Sequence, residues 1–378
     1  MSLGPEPTNT LLWLLSEAQQ GLWRLLGALG VTDTVHGQPA WPFAHRLAAE
    51  QLLFDPGQVK RLWWLGAVAL ALLVFAAVGL CWRRARWPLV GLGGWLLATL
   101  PWPEWQLLRV PTPPTAFHRP DHPFEAGAIV RGQALYQTQC QRCHGDDGRG
   151  EGPDAARLAM WPPTLNGSLL WKRLDGELFW RVRHGMLDRQ GQATMPGTGD
   201  RWSDAQVWDV LAFVRAQAAG QTLRATGAWV FPVPVPDATV SCRGTPRALS
   251  SLRGQRLHLV AAGGPFPAAD PRLLTVSVGA ASADADCQAG SPELAQALAT
   301  VLGVGREALP GHQLLADRDG WLRVRGQPGA AAWSEDDLVC RTAALKPASD
   351  ASAADGLEAL IRRMDAEPVR DTRGGFPH

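Results

Sequence analysis

The sequence predicts a multidomain membrane protein: transmembrane α-helices at the N-terminal end, an all-α domain in the middle and an α/β domain at the C-terminal end. Three observations predict it. Residues 62–81 form an uncharged apolar run, of about the 20 residues a helix needs to cross a bilayer. The pentapeptide Cys140-Gln141-Arg142-Cys143-His144 lies between two stretches of helical apolar spacing. Beyond residue 236, short apolar runs with turn residues between them alternate with helix-like segments. A chain of 378 residues has the length for two or three domains. Its formal net charge of +1, with no long basic run, excludes nucleic acid as a partner.

The membrane anchor takes in residues 1–108. Trp63, Trp64, Trp82, Trp87, Trp95, Trp102 and Trp105 bracket its apolar runs, as aromatic rings do at the headgroup layer. A second, shorter and glycine-rich run covers residues 89–100 and extends to Trp105 if the flanking tryptophans join it. Arg83, Arg84 and Arg86 lie between the two runs and place the tip of this hairpin in the cytoplasm. Both ends of the hairpin, and residues 31–60 with them, then face outward. Residues 11–30 carry Glu17, Gln19, Gln20 and Arg24 within a leucine and tryptophan pattern of helical spacing. They read as a third, weakly apolar span or as an amphipathic helix on the outer surface. Parity ties two spans to an external N-terminus and three to an internal one; the pattern favours three. No basic segment precedes it, so a cleaved leader is not expected.

Residues 109–124 are rich in proline and read as an extended, semi-rigid linker holding the next domain off the membrane. That domain, residues 125–219, carries the pentapeptide. Cys-x-x-Cys-His is the attachment sequence of haem c: both sulfurs form thioethers and the histidine ligates the iron. Cys140 and Cys143 are thus the attachment residues and His144 an axial ligand. Zinc would need four ligands, and no second cysteine or histidine pair follows at suitable spacing, the next cysteine being Cys242. A redox dithiol would explain neither the adjacent histidine nor a downstream Met-Pro. Haem attachment of this kind takes place on the outer side of the bacterial inner membrane, in agreement with the hairpin's charge. The segment Asp146-Asp147-Gly148-Arg149-Gly150-Glu151-Gly152 reads as a flexible, solvated loop beside the haem.

Over about ninety residues this domain resembles the class I monohaem cytochromes c. Gly132 and Tyr136 look like that family's small-plus-aromatic pair, packing against Val210 and Phe213 of a last helix at 203–216. The resemblance implies one covalent haem c. It also implies a proline carbonyl, from Pro162 or Pro163, that receives the Nδ1 proton of the axial histidine, and Met195 of Met195-Pro196 as the sixth ligand. Met160 and Met186 compete with Met195 on composition alone, and His184 is an alternative ligand or a surface residue. With both axial positions filled, electron transfer between redox protein partners is the expected task, rather than catalysis on a substrate.

Residues 220–236 read as a second linker, 237–367 as the C-terminal domain and 368–378 as a tail. Strands are expected at 257–261 and 273–278, a helix at 292–302, a hairpin at 313–325 turning at Asp317-Arg318-Asp319-Gly320, and closing helices at 334–344 and 356–364. This order resembles the thioredoxin-like fold. Where that fold carries its catalytic cysteines stands Gly263-Gly264-Pro265-Phe266-Pro267, so the domain is degenerate and a binding or structural role is expected. Among Cys242, Cys287 and Cys340 one disulfide is expected, with the pairing open. His258, His312 and His378 are candidate copper ligands, although isolated histidines more often pack or lie at the surface. The whole chain resembles the C-terminal part of bacterial fusions of a copper-resistance protein D-like membrane domain, a cytochrome c and a degenerate thioredoxin-like domain. The stretches 40–46, 109–124 and 313–325 carry that likeness. It implies an inner-membrane protein with periplasmic haem and C-terminal domains. Its function would be single-electron transfer, within a respiratory complex or beside one, or alternatively copper handling or sensing.

Overall fold

The computed structural model describes residues 5–48, 55–121, 123–167, 170, 173–329, 332–334, 337–340 and 356–369. Most of the helix expected at 334–344, His378 and nearly all of the tail lie outside the described residues.

The chain starts with helix α1 (Pro5–Ala28), a small hairpin of β1 (Thr34–Val35) and β2 (Gln38–Pro39), and strand β3 (His45–Leu47). Helix α2 (Pro56–Cys81) follows. Asp55 starts it, its carboxylate accepting from the Gly57 and Gln58 amides at 2.9 and 3.2 Å, donors that a helix start otherwise leaves open. Among the described residues α2 is the one helix long and apolar enough to cross a bilayer, over Gly57–Cys81. Helix α3 (Arg86–Thr99) has 14 residues, about 21 Å of rise against a hydrocarbon core of roughly 30 Å. Pro101 and Pro103 bar its continuation, and Leu100 is already extended. The second crossing expected here is therefore helical only in part. After helix α4 (Trp105–Leu108), strand β4 (Arg109–Pro111) returns and pairs antiparallel with β3.

Helix α1 lies along this ribbon. Gln19 bonds both the carbonyl and the amide of Leu47, at 3.1 and 2.8 Å. Trp23 Nε1 donates to the Pro39 carbonyl at 2.7 Å, and Arg119 donates to Gln20. Trp13, Leu14, Leu22 and Leu25 of α1 remain exposed.

Next come α5 (Ala126–Gln139), α6 (Gln141–His144), α7 (Asp175–His184), a hairpin of β5 (Met186–Leu187) and β6 (Ala193–Met195), and α8 (Asp204–Thr226). The C-terminal part holds β7 (Val233–Pro234), β8 (Thr239–Cys242), β9 (Thr245–Ala248), β10 (Leu257–Ala261), β11 (Leu274–Val278), β12 (Cys287–Ala289), α9 (Pro292–Leu302), β13 (Gln313–Ala316), β14 (Trp321–Gly326) and α10 (Gly356–Ala366). One curled, eight-stranded sheet runs in the order β7-β14-β13-β10-β11-β12-β8-β9, with β10, β11 and β12 parallel and the other pairs antiparallel. The expected strands, hairpin and helix α9 all form. The crossover from β10 to β11, residues 262–273, is irregular rather than helical. Leu338, expected in a helix, instead bridges to Val324.

Both stretches read as linkers are packed. In the first, Thr115, Ala116, Phe117 and His118 are buried. Phe117 lies 4.6 Å from Trp41 between ring centroids, and Thr115 Oγ1 donates to the Gly176 carbonyl of α7 at 2.6 Å. The helical domain is therefore seated on the β3–β4 ribbon rather than spaced from it. Proline content signals extended backbone, but it does not stop the apolar residues in that backbone from finding a core. In the second, α8 continues ten residues past Ala216. Ala218, Ala219 and Leu223 are buried in the hydrophobic core that also holds Leu294, Leu298 and Val301 of α9. Phe231 and Val233 join the same core, so helices and sheet share one interior.

Candidate haem-attachment site

Helix α5 delivers the Cys-x-x-Cys-His turn, and its crossing with α8 fixes the position. A β-carbon at Gly132 would stand 2.0 Å from the Asp209 carbonyl oxygen and 2.9 Å from Phe213 Cβ. Only glycine lets the two backbones approach this closely. One turn later the Tyr136 ring packs on Phe213 with centroids 5.2 Å apart, and Val210 is buried in the same core. The small-plus-aromatic pair meets the last helix where the sequence placed it. Arg131 forks onto the buried Asp209 carboxylate at 2.8 and 3.0 Å, a hydrogen bond that raises the guanidinium pKa further.

Cys140 closes α5 and opens α6. The amides of Cys143 and His144 both return to the Cys140 carbonyl, at 3.1 and 2.9 Å, so two thiols and an imidazole share one turn. Both thiols are free. Burial, with a smaller push from Cys143, raises the Cys140 pKa to about 12. Burial and then Asp154 raise that of Cys143. Neither environment favours the thiolate that dithiol catalysis needs. Burial lowers the His144 pKa and keeps the ring neutral, and its Nδ1 is buried without a hydrogen bond of ordinary geometry. The carbonyl beside this ring, acting against that shift, belongs to Pro163. The Pro162 carbonyl faces Gly150 instead: a β-carbon there would lie 2.2 Å from its oxygen. Sequence reasoning left these two prolines equivalent; in the fold their carbonyls face different neighbours.

The loop after His144 is fixed rather than flexible. The Gly150 amide donates to the His144 carbonyl at 2.8 Å, Gly152 to Cys143 at 3.1 Å and Asp154 to Arg142 at 2.8 Å. Gly148, Gly150 and Gly152 are buried, while Asp146, Arg149 and Glu151 are exposed, as a solvated set of charges should be. Asn166 Nδ2 holds the Asp147 carbonyl at 2.7 Å and Gln217 Nε2 the Asp146 carbonyl at 2.5 Å. Sequence reasoning missed both, since Gln217 stands just past the expected end of the last helix and Asn166 belongs to no motif. The buried Tyr136 hydroxyl donates to the Gly145 carbonyl at 2.7 Å, and burial raises its pKa.

Met195 is half-buried on β6, directly across the hairpin from Met186 on β5. Arg181 Nη1 lies 4.0 Å from the Met186 sulfur, so that thioether already has a polar neighbour. Met160 is exposed. His184 is exposed with its ring over Trp180, centroids 3.7 Å apart, and 6.0 Å from the His36 ring. In the C-terminal domain a disulfide joins Cys242 to Cys287 and leaves Cys340 buried and free. Gln313 Oε1 lies 2.9 Å from His258 Nε2 and the Leu309 carbonyl 3.0 Å from His312 Nδ1. Among the described residues no group of three His, Cys, Asp or Glu side chains is placed to hold a metal ion.

Two free thiols and a neutral imidazole on one turn suit a covalently attached haem. The comparisons with known proteins agree. Residues 127–214 match the family described as cytochrome c oxidase, cbb3-type, subunit III. A thiosulfate dehydrogenase from Allochromatium vinosum is 39% identical over 92 residues, covering 22% of this chain and 30% of that protein. The chain thus spans less than a third of that relative's length. A chain of the Kuenenia stuttgartiensis reducing HAO-like protein complex Kustc0457/Kustc0458 is 24% identical, covering 32% of this chain and 56% of that one at a TM-score of 0.23, a value that carries no argument about fold. The central region is a cytochrome c domain, and such a domain implies a covalently bound haem c.

Proposed function

We propose that this chain is a membrane-anchored c-type cytochrome with one haem, passing single electrons on the periplasmic side of a bacterial inner membrane. Cys140 and Cys143 hold the haem as thioethers, and His144 and Met195 supply the axial ligands. The observation that carries this reading is the turn of α6, where two free, protonated thiols stand beside a neutral histidine inside a cytochrome c domain. Keeping His144 neutral leaves a ring nitrogen free to ligate. The Pro163 carbonyl is placed to accept the Nδ1 proton and so fix the tautomer. Met195 is preferred over Met186 because the Met186 sulfur faces Arg181. When bound, the haem supplies reversible one-electron chemistry, and thioether ligation raises its potential relative to two imidazoles.

Helix α2 is the anchor, with Arg83, Arg84 and Arg86 at its cytoplasmic end. Helix α3 completes the hairpin with the non-helical residues 100–104. The polar contacts of α1 to the outer ribbon, and its exposed apolar face, favour an interfacial helix and an external N-terminus over the third span that the sequence pattern favoured. The C-terminal sheet is a non-catalytic, thioredoxin-like appendage: residues 262–273, where a reactive pair would stand, contain no cysteine. The likeness to an oxidase subunit family supports a protein redox partner, in a respiratory complex. The copper alternative, suggested by the likeness to copper-resistance fusions, gains no support from His258 and His312, which lie against Gln313 and Leu309.

Two sets of variants test this reading. Cys140→Ala with Cys143→Ala should abolish covalent haem in denaturing gels. Met195→Ala should lower the haem potential and alter the reduced absorption bands, whereas Met186→Ala should leave both near those of the parent protein. Covalent haem surviving the cysteine changes, or a ligand-loss spectrum from Met186→Ala alone, would overturn the assignments.

A further inference from the structure

A cavity with a distinctive charge lies in the C-terminal domain. It measures about 820 Å³ and opens between the β8–β9 hairpin, the loop leading into β10, the start of β11 and the turn before β14. Its floor includes the Cys242–Cys287 disulfide, which ties β8 to β12 covalently. Five arginines line it: Arg243, Arg247, Arg256, Arg272 and Arg318, against the carboxylates of Asp270 and Asp286.

The pairing within the cavity is uneven. Arg256 bridges to Asp365, and Arg272 to Asp270 and Glu358. Asp286 accepts the Thr275 amide at 2.9 Å. Among the described residues, no acidic side chain pairs with Arg243, Arg247 or Arg318. Like charges that share one cavity repel one another, and an anion entering between them removes that repulsion. Guanidinium forks also match the paired oxygens of carboxylate, phosphate and sulfate groups. Leu252, Leu273 and Leu274 add apolar lining, and the volume falls within the roughly 300–1,000 Å³ typical of small-molecule sites.

We propose that this cavity binds a small polyanion, a molecule carrying two or more phosphate, sulfate or carboxylate charges. The site is separate from the haem turn, and none of its lining residues belongs to the cytochrome c domain. The disulfide keeps one wall in place beside Arg243 of the β8–β9 turn and Arg247 of β9.

The test is calorimetric titration of the full-length protein in neutral detergent with pyrophosphate in one arm and citrate in the other. Sodium chloride at matched ionic strength is the control. Saturable one-to-one binding is expected in at least one arm, and the arm that binds tighter tells phosphoryl from carboxylate ligands. The triple variant Arg243→Gln, Arg247→Gln, Arg318→Gln should weaken that binding by about tenfold or more. Arg253→Gln, an exposed arginine outside the cavity lining, should not change it. No saturable binding below about 10 mM in either arm, equal affinity in the triple variant, or an effect reproduced by salt alone would overturn the proposal.

Discussion

The ion pair between Arg46 of β3 and Glu177 of α7 is the point at which the β3–β4 ribbon grips the cytochrome c domain. Arg46 Nε donates to Glu177 Oε1 at 2.6 Å and Nη2 to Oε2 at 3.3 Å, with each side chain only 3% exposed. Glu177 also accepts the Leu174 amide at the start of α7. Arg46→Leu removes the cation and leaves the carboxylate buried, which costs about 3–5 kcal/mol when a buried pair is broken from one side. At 1.4 kcal/mol per factor of ten, the docked arrangement should open roughly two to four powers of ten more often. Hydrogen exchange in detergent reads this directly. The amides of Ala48 and His118, bonded to Leu108 and Thr115 at 2.7 and 2.8 Å, should lose protection by that factor. Amides in the middle of α8, which belong to the core with α5, should not. Arg46→Met combined with Glu177→Gln should recover most of the loss, since no uncompensated charge stays buried. A change under about tenfold at Ala48 and His118 would mean that the pair acts like an exposed one, worth about 0–1 kcal/mol, and that the ribbon is held by something else.

Other consequences can be measured more simply. Gly132→Ala drives a methyl group into the Asp209 carbonyl, so the thermal midpoint of the cytochrome c domain should fall by the equivalent of about 1–3 kcal/mol or more. Asn166→Ala frees the Asp147 carbonyl and should cost about 1–2 kcal/mol, seen as faster exchange across residues 146–152. Burial lowers the pKa of His258, partly offset by its bond to Gln313. Its contribution to the stability of the sheet is therefore complete above its ordinary value of 6.5 and is lost as pH falls below it. His258→Gln should flatten that part of the stability profile. With haem attached, Cys81 and Cys340 are the thiols left over from the disulfide and the haem turn. Alkylation should reach the exposed Cys81, while Cys340, buried with its pKa pushed up to about 11, should react only on unfolding.

Much of this architecture could be read from the chain because its signals are local. The turn of α6, the Gly132–Tyr136 pair and the strands β10, β11, β13 and β14 each announce themselves within a few residues. The extra strands β7, β8, β9 and β12 did not, because they are two to four residues long. A run that short holds no readable period, and its place comes from pairing with strands distant in sequence. The pairing of Cys242 with Cys287 is set by that same register, in which the two face each other on β8 and β12. The packing of residues 109–124 and 220–236 was hidden for a related reason. Proline and small residues suggest a spacer, yet what fixes them is contact with Trp41, Gly176 and α9, which only the folded chain brings near.

That packing changes how the proposed electron transfer must work. A cytochrome on a free tether can swing between donor and acceptor, with its encounter rate set by tether length. Here the ribbon holds α7 through Arg46 and Thr115, and α9 shares a core with α8, so two sides of the domain are already covered. Met160 and Trp161 of the same domain are both more than half exposed. Under the proposed membrane anchoring, a partner must then come to a domain held in place rather than to one that swings. Lengthening the chain between residues 111 and 115 should then not speed electron transfer as it would for a tethered carrier. It should slow it, because the insertion breaks the seat of α7 on Thr115 before it grants any reach. Turnover with a membrane-bound partner, compared for insertions of increasing length, separates the two cases: a rate that rises with length would mean that the docked arrangement is not the working one.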